Sequence, residues 1–211
     1  MFDNIFEIVF LAFFILGVAI RAVMVFRVPQ WWKKKANLMD DQETGIDKVL
    51  LSLNSLGLLF VPLVYLFSPW LDFADYFLPP IISHLLGWSG AAVFIFALYL
   101  LYKSHADLGH DFSPELNLRE EHKLVTDGIF RHIRHPMYAA HLLWAVAQIL
   151  LLQNWIAGPV FLVTSLPVYI IRIPREERMM IISFGEDYRD YMKTTGCVFP
   201  RLSKHQKNSL N

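Results

Sequence analysis

Residues 122–138, reading H-K-L-V-T-D-G-I-F-R-H-I-R-H-P-M-Y, crowd imidazole, guanidinium and ammonium groups into a polar stretch between two long apolar segments. Thr126, Asp127 and Gly128 make a turn. Pro136, Met137 and Tyr138 open the next apolar segment, and a proline in the first turn of a helix costs no hydrogen bond. The sequence thereby delivers Arg134 and His135 to the mouth of an apolar helix, which reads as a polar site at a membrane surface. Six of the eight histidines lie in or around it, between positions 105 and 141: His105, His110, His122, His132, His135 and His141. Clustered histidine suggests a metal first. The spacings are H-x4-H and H-x2-H, with no adjacent pair and few carboxylates placed to share an ion, so no metal site is expected. The competing reading has some of these imidazoles bonding a polar ligand, with His105, His110 and His132 at the surface.

A second polar group starts at Arg172, in R-I-P-R-E-E-R. Pro174 is expected to restart a helix beyond the membrane. Glu176 and Glu177 then fall in its first turn, where the helix dipole favours carboxylates. Arg172 at the membrane face and Glu176 one turn on are expected beside the Arg134–His135 mouth. Gly185 stops the helix, and Tyr188 and Tyr191, at helical spacing, pack the tail onto the membrane domain.

The elements that must position these groups are apolar helices. The chain has 211 residues, 55% of them hydrophobic, with 17 Phe and 6 Trp. That excess points to a membrane class. A formal net charge of zero excludes a generally basic nucleic-acid binder. The single cysteine, Cys197, excludes an intramolecular disulfide framework and a cysteine-rich zinc site. Apolar runs at about 5–26, 49–67, 81–102, 137–152 and 159–173 predict five spans, since a bilayer core takes ~20 residues of helix. The first run is too long for a leader's apolar region and follows acidic residues, so it reads as a span. Arg21 inside it is expected to snorkel toward the face of Arg27. Trp31 and Trp32 before three lysines read as an interface anchor. Asn54 is expected to bond a neighbouring helix. The turn 154–159 makes the last two spans an antiparallel hairpin, and Pro167 is expected to kink the second. Loops 27–48 and 103–135 each hold five Lys or Arg, and the tail from 172 holds eight. Segments 1–4, 68–80 and 153–158 hold none. The positive-inside rule then places the N-terminus outside and both long polar segments in the cytoplasm.

The runs L-G-H-D-F-S, H-K-L-V-T-D-G-I-F, R-H-P-M-Y and E-E-R-M-M-I-I-S-F-G-E-D-Y-R-D-Y, in that order within about 105–200, resemble the isoprenylcysteine carboxyl methyltransferase family. Phospholipid N-methyltransferases share parts of the pattern. The resemblance implies an all-α integral membrane protein of about five transmembrane helices, with a cytoplasmic cofactor-binding loop and a C-terminal helical tail. It divides the chain into N-terminal transmembrane helices, 1–104, and a methyltransferase core, 105–211. It implies S-adenosylmethionine as cofactor, bound by His122, Lys123, Leu124, Val125, Phe130, His135, Pro136, Met137, Tyr138 and Glu176. Arg172 matches an arginine placed for the substrate. The family usually has Tyr at the position of Phe130, so an aromatic wall survives there without a hydroxyl contact.

The residues suit such a ligand. A carboxylate such as Glu176 pairs with an ammonium or accepts from a hydroxyl. His135 and the amides of a helix start can hold a carboxylate, while Tyr138 and Phe130 can face adenine or the sulfonium cation. The expected acceptor is lipophilic or prenylated and enters from the bilayer, its carboxylate held by Arg172. Two enzyme alternatives share the architecture, a phospholipid N-methyltransferase and an NADPH-dependent enzyme resembling sterol reductases. Pro136 and Met137 favour the methyltransferases over the reductases. A membrane scaffold is the non-enzymatic alternative, and it would bind no cofactor.

Overall fold

A computed structural model of the chain describes residues 4–26, 45–108 and 124–201. Helix α1, Ile5–Phe26, is followed by α2, Gly45–Ser55, a π-helical turn Leu56–Phe60, and α3, Val61–Phe67. A 3-10 turn, Pro69–Ala74, leads to α4, Pro80–Leu108. A second 3-10 turn, Gly128–Arg131, precedes α5, Pro136–Leu151, and α6, Val160–Thr194. Among the described residues there is no strand, only two isolated bridges, Asp75 with Asn154 and Ile133 with Gly196. The paired tryptophans Trp31 and Trp32 lie outside the described residues. So do His110, His122 and Lys123.

Three stretches, Ile5–Val23, Lys48–Phe67 and Pro80–Leu108, are long and apolar enough to cross a membrane. The protein is a multi-pass integral membrane protein. α5 is shorter, at 16 residues. The Lys48–Phe67 span stays continuous across Pro62 because the π turn absorbs the missing N–H: the Val61 amide reaches back to the Leu56 carbonyl. Asn54 accepts a 2.9 Å bond from the Ser165 hydroxyl of α6, the interhelical bond its sequence position predicts.

Apolar burial alone does not drive helices together in lipid, so close packing depends on small residues. α4 and α5 show this along their length. Gly90, Ala91 and Ala97 of α4 face Ala139, Ala140, Ala145 and Ala147 of α5, all of them buried. α1 adds Phe6, Phe10 and Phe14 at helical spacing to a core that includes Phe94, Trp144 and Phe161.

Two expectations need correction. Pro174 does not restart a helix; α6 runs through both Pro167 and Pro174. Both prolines are exposed, on the face opposite the packed one, where losing a backbone bond and crowding the previous turn disturb no neighbour. The interruption comes at Gly185, whose φ of 56° and ψ of −125° break the helical path. Arg21 does not merely snorkel: its Nη1 lies 3.2 Å from His141 Nε2 of α5.

The hairpin between α5 and α6 is locked by Asn154, which is buried. Its amide nitrogen donates to the Leu71 carbonyl and to Asp75 Oδ1, both at 2.8 Å. Its Oδ1 accepts from the Ile156 and Ala157 amides at 2.9 and 2.8 Å. One side chain thus closes its own turn and pins the 3-10 segment. Each buried group left unpaired costs about 1–3 kcal/mol. Asn154→Ala should therefore lower the melting midpoint of the detergent-solubilised protein by at least about 5 °C, taking ~2–4 °C per kcal/mol at this size. A midpoint within error of wild type would contradict this role.

Candidate functional site

At the pole opposite Asn154, the polar groups singled out in the sequence converge on the mouth of α5. The end of α4 organises the approach. Asp107 Oδ2 accepts the Ile129 amide at 2.8 Å, while Asp107 Oδ1 accepts from Lys103 Nζ at 2.6 Å. Gly128 sits at φ 58°, and a Cβ there would lie 2.4 Å from the Asp107 carboxylate, so the turn requires glycine. The following 3-10 turn buries Phe130. Its carbonyl accepts the Tyr191 hydroxyl at 2.5 Å. Tyr188 and Tyr191 are both buried, so they do pack the tail onto the membrane domain. Burial raises the Tyr188 phenol to about 12, with Glu177 adding to the shift.

A short extended strap after α6 completes the mouth. The Arg134 amide donates to the Gly196 carbonyl at 2.8 Å, and the His135 amide to the Cys197 carbonyl at 3.0 Å. Sequence reasoning gave this strap no role, because nothing in T-T-G-C signals pairing with a segment some sixty residues earlier. Arg134 ties strap and tail together. Its Nε and Nη2 donate to Glu177 Oε1 at 2.9 and 2.7 Å. Its Nη1 donates to the Thr195 carbonyl and, at 3.4 Å, to the Met192 carbonyl. The guanidinium is buried, with 8% of its side chain exposed. Its pKa is nevertheless raised: desolvation is the largest single influence and opposes the charge, but the bond to Glu177 and the charge of Glu177 together outweigh it.

His135 caps α5 with its backbone and lies between the two glutamates. Its Nε2 is 3.3 Å from Glu177 Oε1, and its Nδ1 is 3.6 Å from Glu176 Oε2. Burial lowers its pKa, with Glu176 and Glu177 opposing, so the ring is neutral near pH 7. With Nε2–H assigned to Glu177, Nδ1 carries the lone pair. Nδ1 and Glu176 Oε2 then form a pair of acceptors facing a common space. Glu176 Oε1 accepts the Tyr138 hydroxyl at 2.5 Å. It also lies 3.5 Å from Arg172 Nε, one turn back on α6.

The structure therefore brings His135, Tyr138, Arg172 and Glu176 into one cluster. Pro136 is buried at the first position of α5, and Met137 is half-buried beside it. Leu124 and Val125 are half-buried in the extended approach. Glu177 was legible only as a carboxylate in the first turn of a tail helix. Its partner Arg134 sat in the same polar stretch, and no local spacing connects the two. Cys197 Sγ, His135 and Glu177 also converge, with ligand-capable atoms within 4.8 Å of one another. Arg134 already supplies the positive charge at Glu177, and burial, followed by Glu177, pushes the Cys197 thiol upward. An open apolar groove of about 590 Å³ along α4, lined by Ile81, His84, Leu85, Trp88, Ser89 and Ala92, lies in the half of that helix remote from the mouth. It holds no charged side chain, and the candidate site is the mouth of α5.

Comparison with known proteins converges on the same segment. Residues 90–182 match the model of the Isoprenylcysteine carboxyl methyltransferase (ICMT) family. A protein-S-isoprenylcysteine O-methyltransferase from Dictyostelium discoideum is 30% identical over 135 residues, 63% of this chain and 56% of the relative. Protein-S-isoprenylcysteine O-methyltransferase B of Arabidopsis thaliana is 36% identical over 85 residues, 39% of this chain and 43% of the relative. The chain thus spans about half the length of the curated relatives it matches. A solved structure of the eukaryotic intramembrane Ras methyltransferase ICMT aligns with a TM-score of 0.48 and 23% identity, over 83% of this chain and 55% of that one. From the second half of α4 through the mouth of α5 and into α6, this chain is similar to the isoprenylcysteine carboxyl methyltransferase family.

Proposed function

We propose that the protein is an S-adenosylmethionine-dependent methyltransferase that methylates the carboxylate of a lipophilic acceptor, an isoprenylcysteine or a similar lipid-borne group. The observation that carries this reading is the set of contacts around Glu176, where Tyr138, Arg172 and His135 meet at the membrane face. The acceptor pair formed by His135 Nδ1 and Glu176 Oε2 suits an ammonium or a ribose hydroxyl. With Nε2–H committed to Glu177, acceptance is the role open to Nδ1, rather than donation to a carboxylate. S-adenosylmethionine supplies an electrophilic methyl on a sulfonium. His122, Lys123, Leu124, Val125, Phe130, Pro136 and Met137 complete the cofactor site by their place in the family pattern. Within the described part of that set, the aromatic and apolar groups keep water from the cation.

An ionised carboxylate needs no general base, so alignment and desolvation supply most of the rate. Arg172 aligns the acceptor: its planar fork matches a carboxylate and repels an ammonium, which disfavours an aminophospholipid. Residues 1–104 form the lipid-facing part and 105–211 the methyltransferase core. The basic loops support an N-terminus outside and a mouth of α5 in the cytoplasm. Prenylated substrates then arrive from the cytoplasmic leaflet.

Three experiments test this reading. Losing one partner of a buried charged bond costs ~2–5 kcal/mol, so Glu176→Ala should weaken S-adenosylhomocysteine binding well beyond tenfold by calorimetry. Unchanged binding removes the tail from the cofactor site. Arg172→Lys should leave that affinity nearly intact while methylation of a prenylcysteine analogue falls by at least about tenfold, because a point charge cannot reproduce the fork. Full activity in that variant would remove the clamp. For orientation, single cysteines at Asp75 and Glu186 in a Cys197→Ser background should label from outside and from the cytoplasm respectively. The opposite pattern reverses the topology.

A further inference from the structure

Below the mouth of α5, inside the apolar part of the helices, lies a second polar cluster. α1 contributes Arg21, α5 contributes His141 and α6 contributes Tyr169. The contacts of His141 fix its proton. Nδ1 is 2.7 Å from the Met137 carbonyl, which can only accept, so Nδ1 carries hydrogen. Nε2 is 3.2 Å from Arg21 Nη1, which can only donate, so Nε2 carries the lone pair. The imidazole is neutral, and among the described residues no carboxylate pairs with Arg21. A guanidinium within an apolar helix is thus held by a neutral partner, an arrangement that lipid makes expensive and that marks functional positions.

The rest of the cluster is prepared in the same way. The Tyr169 hydroxyl is buried with no hydrogen-bond partner. Ser165 is a polar neighbour of it, and the single Ser165 proton is shared between Asn54 Oδ1 and the Phe161 carbonyl. The charge of Arg21 reaches Tyr169. The Tyr169 ring packs against Tyr138, centroids 4.9 Å apart, and Tyr138 in turn bonds Glu176. His141 stacks parallel to Trp144. Trp144 can approach α1 only because residue 17 is glycine: a Cβ there would lie 2.4 Å from the indole. Gly17 and Arg21 are one turn apart on α1, so the close approach that seats Trp144 also delivers Arg21 to His141. Arg21 is itself exposed on the lipid-facing side.

We propose that Arg21, His141 and Tyr169 form an anion subsite beneath the Tyr138–Glu176 cluster that receives the carboxylate of the acceptor as it enters sideways from the bilayer. Arg21 supplies the charge and the Tyr169 hydroxyl the unspent donor. His141 orients the guanidinium through Nε2. The subsite rests on the methyltransferase reading above and adds an entry station that favours the acid over its ester before Arg172 takes the carboxylate at the mouth. After methylation at the mouth the group is neutral, and neither Arg172 nor Arg21 holds it, which favours release of the product into the membrane.

The test uses the full-length protein in detergent, an S-prenylcysteine, and its methyl ester. Wild type should bind the acid at least about tenfold more tightly than the ester, and Arg21→Gln should lower that preference severalfold, with Arg172 holding the remainder, while leaving S-adenosylhomocysteine affinity unchanged. Arg21→Lys should restore part of it, and Tyr169→Phe should weaken the acid severalfold and the ester little. S-adenosylhomocysteine binding reports folding in each variant. If Arg21→Gln loses it, the Arg21→Lys and Tyr169→Phe pair decides, and an intact preference in both overturns the subsite. An intact preference in a folded Arg21→Gln overturns it directly. So does a result in which Arg21→Gln loses only thermal stabilisation by phosphatidylglycerol, because a lipid phosphate is then the occupant. A wild type that binds S-adenosylhomocysteine but neither prenylcysteine overturns the acceptor class, and this subsite with it.

Discussion

The bond between Arg134 and Glu177 is the constraint on which the described mouth depends. A buried ion pair is costly to desolvate, and its attraction offsets that cost only when the remaining hydrogens find partners. Arg134 meets this condition with a carboxylate and two tail carbonyls, those of Met192 and Thr195. These partners come from three places: the middle of α6, its last turn and the strap after it. Only one docking of the tail satisfies them all together, so the pair acts chiefly by selecting that docking. Once Glu177 is fixed, its neighbour Glu176 is fixed as well. The His135 ring between the two is then held by one and left facing the other.

The polar groups are layered along the helices. Arg134 and Glu177 form the outermost layer, fully satisfied by protein. His135, Glu176, Tyr138 and Arg172 form the next, with acceptors facing a common space. Arg21, His141 and Tyr169 lie deepest, where, among the described residues, the charge meets a neutral ring and the Tyr169 hydroxyl has no hydrogen-bond partner. Polar groups become more costly with depth in a bilayer, yet here their satisfaction decreases in that direction. A structural network would be expected to run the other way. The gradient fits a passage in which a polar group arriving from lipid supplies the missing partners.

Much of this was readable in the sequence because its signals are local. Apolar length gave the three long membrane-spanning helices, Pro136 gave the start of α5, and Gly185 gave the break before Tyr188 and Tyr191. The meeting of Glu176 with the α5 mouth followed from the short hairpin, which forces α5 and α6 to run antiparallel. What stayed hidden is non-local. Nothing near Arg21 names His141, 120 residues away, and the link depends on a glycine whose value appears only against Trp144. Pro174 misled for a related reason. Its effect on a helix depends on which face it occupies, and both prolines of α6 are exposed.

The continuity of α6 has a consequence for the chemistry. Ser165, Tyr169, Arg172 and Glu176 follow one another at spacings of four, three and four residues, so they form a single stripe on one face. A break at Pro174 would have uncoupled Glu176 from Tyr169 and Arg172. An unbroken helix, at 1.5 Å rise per residue, instead places Glu176 about 10 Å above Tyr169 with little freedom to rotate. The bend is deferred to Gly185, beyond the last residue of the stripe. There the chain turns back, and the tyrosines and the strap close onto Arg134. One rigid helix thus sets the depth of the groups that would meet the acceptor and the cofactor, while the flexible position is spent on sealing the mouth.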